Sequence, residues 1–355
     1  MNPFIFNAQF PRVVFGAGSL QHLEREFDLL GAKRALVLST PEQRGQAEDV
    51  AKRLGDRAVG VYAKAVMHVP MELAREARAE ANKLGADCTV AIGGGSTIGL
   101  GKAIALDSGL PILAIPTTYA GSEMTPIQGF TENGVKTTMR DLRMLPKTVI
   151  YDPELTLTLP AKLSATSGMN AIAHSVEALY AQEANPIISL MAEESIRVLA
   201  DALPKVMRNT QDIAARGDAQ YGAWLAGASL GAVGMALHHK LCHTLGGSFS
   251  LPHAQTHTIV LPHAVAYNAS AAEQAMMRIS KALGLGSTLS AARGLFELAK
   301  AIDAPLALKD IGMQESDLDK AADLATQNPY YNPRPIERGL IRKLLDDAYF
   351  GRRPI

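Results

Sequence analysis

Short apolar runs alternate with longer helix-patterned stretches through the first part of the chain. Val13-Val14-Phe15, Arg34 to Leu38, Ala58 to Tyr62, Thr89 to Ile92, Ile112 to Ile115 and Thr148 to Tyr151 are brief and bounded by Gly, Pro or polar residues. That pattern predicts strands. Between them, Glu42 to Leu54 and Met71 to Leu84 have helical spacing and are rich in Ala, Glu, Lys and Arg. Strands alternating with helices predict a parallel sheet covered on both faces. After Asp152-Pro153 the strand pattern stops. Ala161 to Ala184, Pro186 to Met207, Asp218 to Leu251 and Glu273 to Leu283 predict helices punctuated by Gly and Pro. The chain is therefore expected to divide near residue 158. Residues 1–158 would form an α/β dinucleotide-binding domain and 159–355 an all-helical substrate and catalytic domain, with the active site in the cleft between them.

Composition narrows the function classes. Of 355 residues, 47% are hydrophobic and 20% charged, ordinary for a globular protein. The 35 basic and 35 acidic residues cancel, which argues against nucleic acid or an anionic membrane surface as partner. No apolar run approaches a membrane span. The opening Met1-Asn2-Pro3-Phe4 reads as core-like sequence rather than a basic-then-apolar leader. Cys88 and Cys242 alone make no disulfide framework, so a reducing cytoplasm is expected.

Two strand-end loops carry candidate chemistry. Thr89 to Ile92 runs straight into Gly93-Gly94-Gly95-Ser96, and a helical stretch from Ile98 to Ala105 follows. Strand, glycine turn and helix let backbone N–H groups approach a phosphate at a helix N-terminus. Ser96 could cap that helix or donate to the phosphate. The run lacks the Gly-x-Gly-x-x-Gly spacing of the usual dinucleotide fold, and as a bare pattern it also suits a tight turn. The second loop, Pro116 to Glu123, offers the hydroxyls of Thr117, Thr118 and Ser122 to phosphate, ribose or a nicotinamide amide. Local bonds from these hydroxyls to their own backbone are the competing reading.

Histidines concentrate further on. Of nine in the chain, six fall between residues 238 and 263: His238, His239, His243, His253, His257 and His263. His239 and His243 lie four apart on a predicted helix and so share a face. His253 follows the turn Ser250-Leu251-Pro252, and His174 lies four residues after Asn170 on an earlier helix. Imidazoles from two helices and a loop suit metal binding or general-acid chemistry. His238, His257 and His263 read as core or surface residues instead.

These segments together resemble the iron-containing (group III) alcohol dehydrogenase superfamily over nearly the whole chain. The resemblance rests on Gly93 to Ser96, on Ile115 through Glu123, and on Leu145-Pro146 through Asp152-Pro153. It continues through Gly168-Met169-Asn170 to His174, His239 with His243, and Pro252-His253. Within the superfamily the chain looks most like the maleylacetate reductases, on Pro116 to Thr125, on Asn332-Pro333-Arg334-Pro335 and on Asn170, which stands where the metal enzymes carry an aspartate ligand.

The resemblance implies reduction of maleylacetate to 3-oxoadipate with NADH or NADPH in aromatic-compound catabolism, without a metal. A weak metal at His174, His239 and His253 would belong to the alternative, a metal-dependent alcohol or hydroxy-acid dehydrogenase. A lyase similar to dehydroquinate synthase is the remoter alternative, disfavoured by sparse Lys and Arg from Ala161 to Leu203. Gly93 to Ser96 would hold the pyrophosphate, Thr117, Thr118 and Ser122 the nicotinamide, and Lys136 its ribose. Ser39-Thr40, with no carboxylate after the second strand, implies tolerance of NADPH. Asp107 stands too far along the following helix to replace it. His239, His243 and His253 are the expected catalytic residues, with His243 as the acid. Tyr119, His174, Asn170 and Arg334 are expected to contact the dicarboxylate substrate, Arg334 through a carboxylate. The resemblance also implies a homodimer.

Overall fold

The computed structural model describes residues 3–66, 69–132, 135–286, 290–328 and 330–355, and the side chains of 130–137 fall outside that description. It resolves into two compact units. Gln9–Leu159 form one, and Pro160–Ile355 with the N-terminal residues through Ala8 form the other.

The first unit holds β1 (Arg12–Phe15), α1 (Leu23–Leu29), β2 (Ala35–Leu38), α2 (Arg44–Leu54), β3 (Ala58–Tyr62), α3 (Met71–Lys83), β4 (Cys88–Gly93) and α4 (Gly95–Ser108). β5 (Ile112–Pro116), β6 (Ile127–Glu132), β7 (Val135–Arg140) and β8 (Thr148–Tyr151) complete it. Six strands pair in parallel in the order β1-β8-β5-β4-β2-β3. Parallel strands covered on both faces need unbroken apolar runs, and every residue of β2, β4, β5 and β8 is buried. Val37, Val90, Ile92, Leu113, Ile115 and Ile150 pack on Phe27 of α1 and on Val50 and Leu54 of α2. The strand order reverses between β2 and β4, because the chain runs outward from β2 to β3 and then back past it. Loops leaving the carboxyl ends of such a pair diverge and open a crevice. The loops that begin at Ser39 and Gly93 are these two.

β6 and β7 form a separate antiparallel pair. The sequence predicts no strand over these two runs, because polar and apolar residues mix in both without a clean period.

The second unit is helical: α5 (Ala161–Ala178), α6 (Pro186–Arg208), α7 (Ile213–Ala232), α8 (Leu237–Phe249), α9 (His253–Asn268), α10 (Glu273–Ala282), α11 (Ala291–Ala301), α12 (Leu318–Thr326) and α13 (Arg338–Phe350). α5 packs among α6, α7 and α9 and is buried from Ser164 to its end. Small residues permit that enclosure: a Cβ at Gly168 would overlap Leu203 of α6. A helix so enclosed must find partners for every polar side chain it carries, and α5 carries Asn170, His174 and Glu177 along one face. No helix among the described residues is long and apolar enough to cross a membrane.

Three expectations need correction, the first being the helix from Ala161 to Ala184, which ends at Ala178. The helix expected from Asp218 to Leu251 is two helices, with Val233 extended between them and Ala236 at the start of α8. His253 is not in a loop but opens α9, which runs through Pro262 to Asn268. Histidines from three helices therefore meet, rather than from two helices and a loop.

Candidate active site

At the end of β4, Gly93 has φ +150°, and a Cβ there would lie 2.5 Å from Thr97 Oγ1 and 2.8 Å from Gln43 Oε1. Both the backbone and the space require glycine. Gly94 opens α4, and a Cβ on it would lie 2.9 Å from Thr118 Cγ2. No side chain caps α4, and Gly94, Gly95 and Ser96 are partly exposed. A long helix with a bare, glycine-lined N-terminus presents aligned N–H donors and partial positive charge. That cradle fits the pyrophosphate of a dinucleotide.

The neighbouring loop is tied to this turn. Thr117 N–H donates to the Gly93 carbonyl (3.1 Å), and Gln43 Nε2 donates to Thr117 Oγ1 (2.8 Å). Gln43, to which no sequence motif assigns a role, thus reaches both loops. Ser39 is fully buried at the end of β2, where its N–H donates to the Tyr62 carbonyl and its own carbonyl accepts from Ala65 N–H. Asp107 pairs with Arg78 and takes no part in the crevice. Tyr119 is fully buried, Thr118 and Ser122 partly exposed, and the Lys136 side chain lies outside the described residues.

Ser122 is positioned by Lys102, whose wholly buried ammonium reaches its carbonyl (2.6 Å) and hydroxyl (3.0 Å), Thr125 Oγ1 (2.9 Å) and the Ile127 carbonyl (2.8 Å). Burial pushes the Lys102 ammonium down to about 7, against the pull of Glu123. Burial likewise raises the Glu123 carboxyl, which accepts from Tyr151 Oη at 2.7 Å.

The helical unit brings the histidines together. His174 Nδ1 lies 2.8 Å from His239 Nε2, and Asn170 Nδ2 lies 3.2 Å from His174 Nε2. His239 Nδ1 lies 2.7 Å from Glu177 Oε2. The same carboxylate accepts from the N–H groups of Ala236 (2.9 Å) and His238 (2.7 Å) at the start of α8. His243 and His253 are partly exposed, while His174 and His239 are buried. His257 stands at the centre, its ring 5.0 Å from that of His239, 4.8 Å from His238 and 4.3 Å from His253. Burial, and then the neighbouring imidazoles, hold His238 and His257 well below the usual histidine range.

Sequence reasoning missed Glu177, although it follows His174 by three on the same helix. It also set His257 aside, and reading α9 as a helix would have placed His257 one turn from His253. Arg334 is half-buried, its guanidinium 4.6 Å over the Tyr267 ring and donating to the Tyr267 carbonyl (3.1 Å). Asn332 beside it exchanges hydrogen bonds with Asn268. His263 lies further along α9, where burial drives it down to about 4 with Asp347 acting against.

A catalytic metal centre needs lone pairs converging on one point about 2.0–2.2 Å from each ligand. Both ring nitrogens of His174 and of His239 already sit within hydrogen-bonding distance of protein partners, and Asn170 brings an amide rather than an anion. Of the set His174, His239 and His253, the His174 Nδ1 and His239 Nε2 atoms face each other at 2.8 Å, and Asn170 adds a neutral amide where an anion would strengthen a cation site. A different triplet, His238, Cys242 and His257, offers donor atoms within 4.8 Å of one another, all buried.

Residues 11–153 match the iron-containing alcohol dehydrogenase model, and residues 164–349 match the C-terminal model of the same family. The chain belongs to the iron-containing alcohol dehydrogenase family. It is 65% identical, over all of both chains, to the maleylacetate reductase of Burkholderia cepacia. It is 57% identical to that of Sphingobium indicum over 99% of each. The crystal structure of maleylacetate reductase from Agrobacterium tumefaciens superposes over the full length of both chains with TM-score 0.95 at 54% identity. As a member of this family the chain is an oxidoreductase.

Proposed function

We propose that this oxidoreductase reduces the carbon–carbon double bond of maleylacetate to give 3-oxoadipate, with NADH or NADPH and without a metal, in the breakdown of aromatic compounds. The observation that carries the reading is 65% identity along the entire length with a maleylacetate reductase. The neutral Asn170 and the engaged nitrogens of His174 and His239 support the metal-free form.

The bound dinucleotide supplies hydride. Gly93, Gly94, Gly95 and Ser96 hold its pyrophosphate, Thr117, Thr118 and Ser122 the nicotinamide, and Lys136 the nicotinamide ribose. Ser39 marks the adenosine end, where no carboxylate repels a 2′-phosphate. Addition at the alkene carbon β to the ketone leaves negative charge on the ketone oxygen, which donors must stabilise. His253 supplies an N–H donor, His239 holds the neighbouring His174 ring in place, and His243, partly exposed, protonates the α carbon. Tyr119, Asn170 and His174 line the substrate, and Arg334 pairs with one carboxylate. Cytoplasmic location and a homodimer complete the reading, with both cysteines free and buried.

The test is turnover of maleylacetate by the purified chain with NADH and with NADPH, with the product identified. Stoichiometric formation of 3-oxoadipate is expected, and absence of nicotinamide oxidation rules the substrate out.

A further inference from the structure

Glu177 is fully buried, and its two oxygens face N–H groups. Oε1 takes His238 N–H at 2.7 Å, and Oε2 takes Ala236 N–H at 2.9 Å and the His239 ring at 2.7 Å. An ionised carboxylate only accepts. His239 therefore carries its hydrogen on Nδ1 and leaves Nε2 as a lone pair. That lone pair lies 2.8 Å from His174 Nδ1, which must donate. His174 then presents a lone pair at Nε2, and Asn170 Nδ2, 3.2 Å away, supplies a hydrogen to it. Donation runs one way throughout, from Asn170 to His174 to His239 to Glu177.

We propose that Glu177 is a positioning residue that sets the direction of this chain, and so fixes the tautomers of His239 and His174. Its charge at the start of α8 and its bond to His239 come from one side chain. The helix that presents His239 and the ring atom that His239 offers are thus decided together. Asn170 is the matching end: an amide can donate where a carboxylate cannot. A carboxylate at position 170 would place acceptors at both ends. His239 Nε2 and His174 Nδ1 would then confront each other as lone pairs, and an extra cation would have to enter between them. The amide at one end and the carboxylate at the other give each of the three contacts one donor and one acceptor.

The consequence for turnover rests on the place given to His239 in the proposed reduction, whereas the tautomers do not. The experiment is long-range 1H–15N correlation on histidine-labelled protein, assigned with His174→Gln and His239→Gln, for the parent chain and for Glu177→Gln. In the parent, His239 and His174 are expected protonated on Nδ1. In Glu177→Gln the side-chain oxygen stays on His238 N–H, and the NH2 turns to His239 at the expense of the bond from Ala236 N–H, so the hydrogen of that ring moves to Nε2. With it, kcat for maleylacetate falls roughly 10²-fold or more, and KM for the nicotinamide cofactor stays in place. A purely structural cap would leave the tautomers alone. An Nε2–H on His239 of the parent overturns the proposal, as do unchanged tautomers in the variant. Reversed tautomers with unchanged kcat uphold the positioning role and remove His239 from the reduction. If Glu177→Gln fails to fold, the parent spectrum decides.

Discussion

A methyl group added at Gly94 would meet Thr118 and enter the space where the N–H donors of α4 open. Gly94 has φ −90°, which any residue adopts, so Gly94→Ala tests space alone. KM for NADH is expected to rise roughly tenfold, ~1.4 kcal/mol, with a much smaller change in kcat at saturating cofactor. An unchanged KM would take the pyrophosphate away from this turn. Lys102→Met strands the Ser122 and Ile127 carbonyls and leaves Glu123 without its counter-charge. A loss of about 3 kcal/mol in stability is expected by urea denaturation. At this scale the sequence showed the glycines, the hydroxyl loop and the His239–His243 pair, because each is a local spacing. Glu177, Gln43 and Lys102 were not legible in the same way. Each acts on a partner distant in sequence, as Glu177 does on α8 and Gln43 on Thr117.

The elements with a strong local period were read nearly to their ends, as β3, α3 and the start of α6 show. Where the period is uninformative, boundaries failed. α7 and α8 are both rich in small and apolar residues, so only the extended Val233 and the remote carboxylate of Glu177 separate them. A local cap makes the contrasting case. Asn185 Oδ1 accepts from Ile187 and Ile188 N–H at the start of α6. Asn185→Ala is therefore expected to cost about 1 kcal/mol of stability while kcat/KM for maleylacetate holds, and a fall in kcat/KM would place α6 in the site.

Across the whole chain, buried neutral imidazoles couple stability to pH. His263 titrates near 6.5 when unfolded and about 4 when folded, because burial disfavours its cation. Between those values the unfolded chain binds a proton that the folded chain refuses, so stability is full above 6.5 and falls as pH drops toward 4. His263 alone accounts for roughly 3 kcal/mol, and His238 and His257 act in the same direction. The urea midpoint should drop from about pH 8 to about pH 5, and His263→Gln should flatten part of that slope. A pH-independent midpoint would contradict the burial of these rings as neutral groups. The claim reaching furthest beyond the family is that maleylacetate is reduced with a hydrogen-bonded set of imidazoles in place of a metal. Its most direct measurement is the steady-state rate of NADH oxidation with maleylacetate before and after exhaustive chelation, with metal content determined on the same samples. An unchanged rate in metal-free protein is predicted, and a rate lost on chelation and restored by Fe2+ or Zn2+ would contradict it.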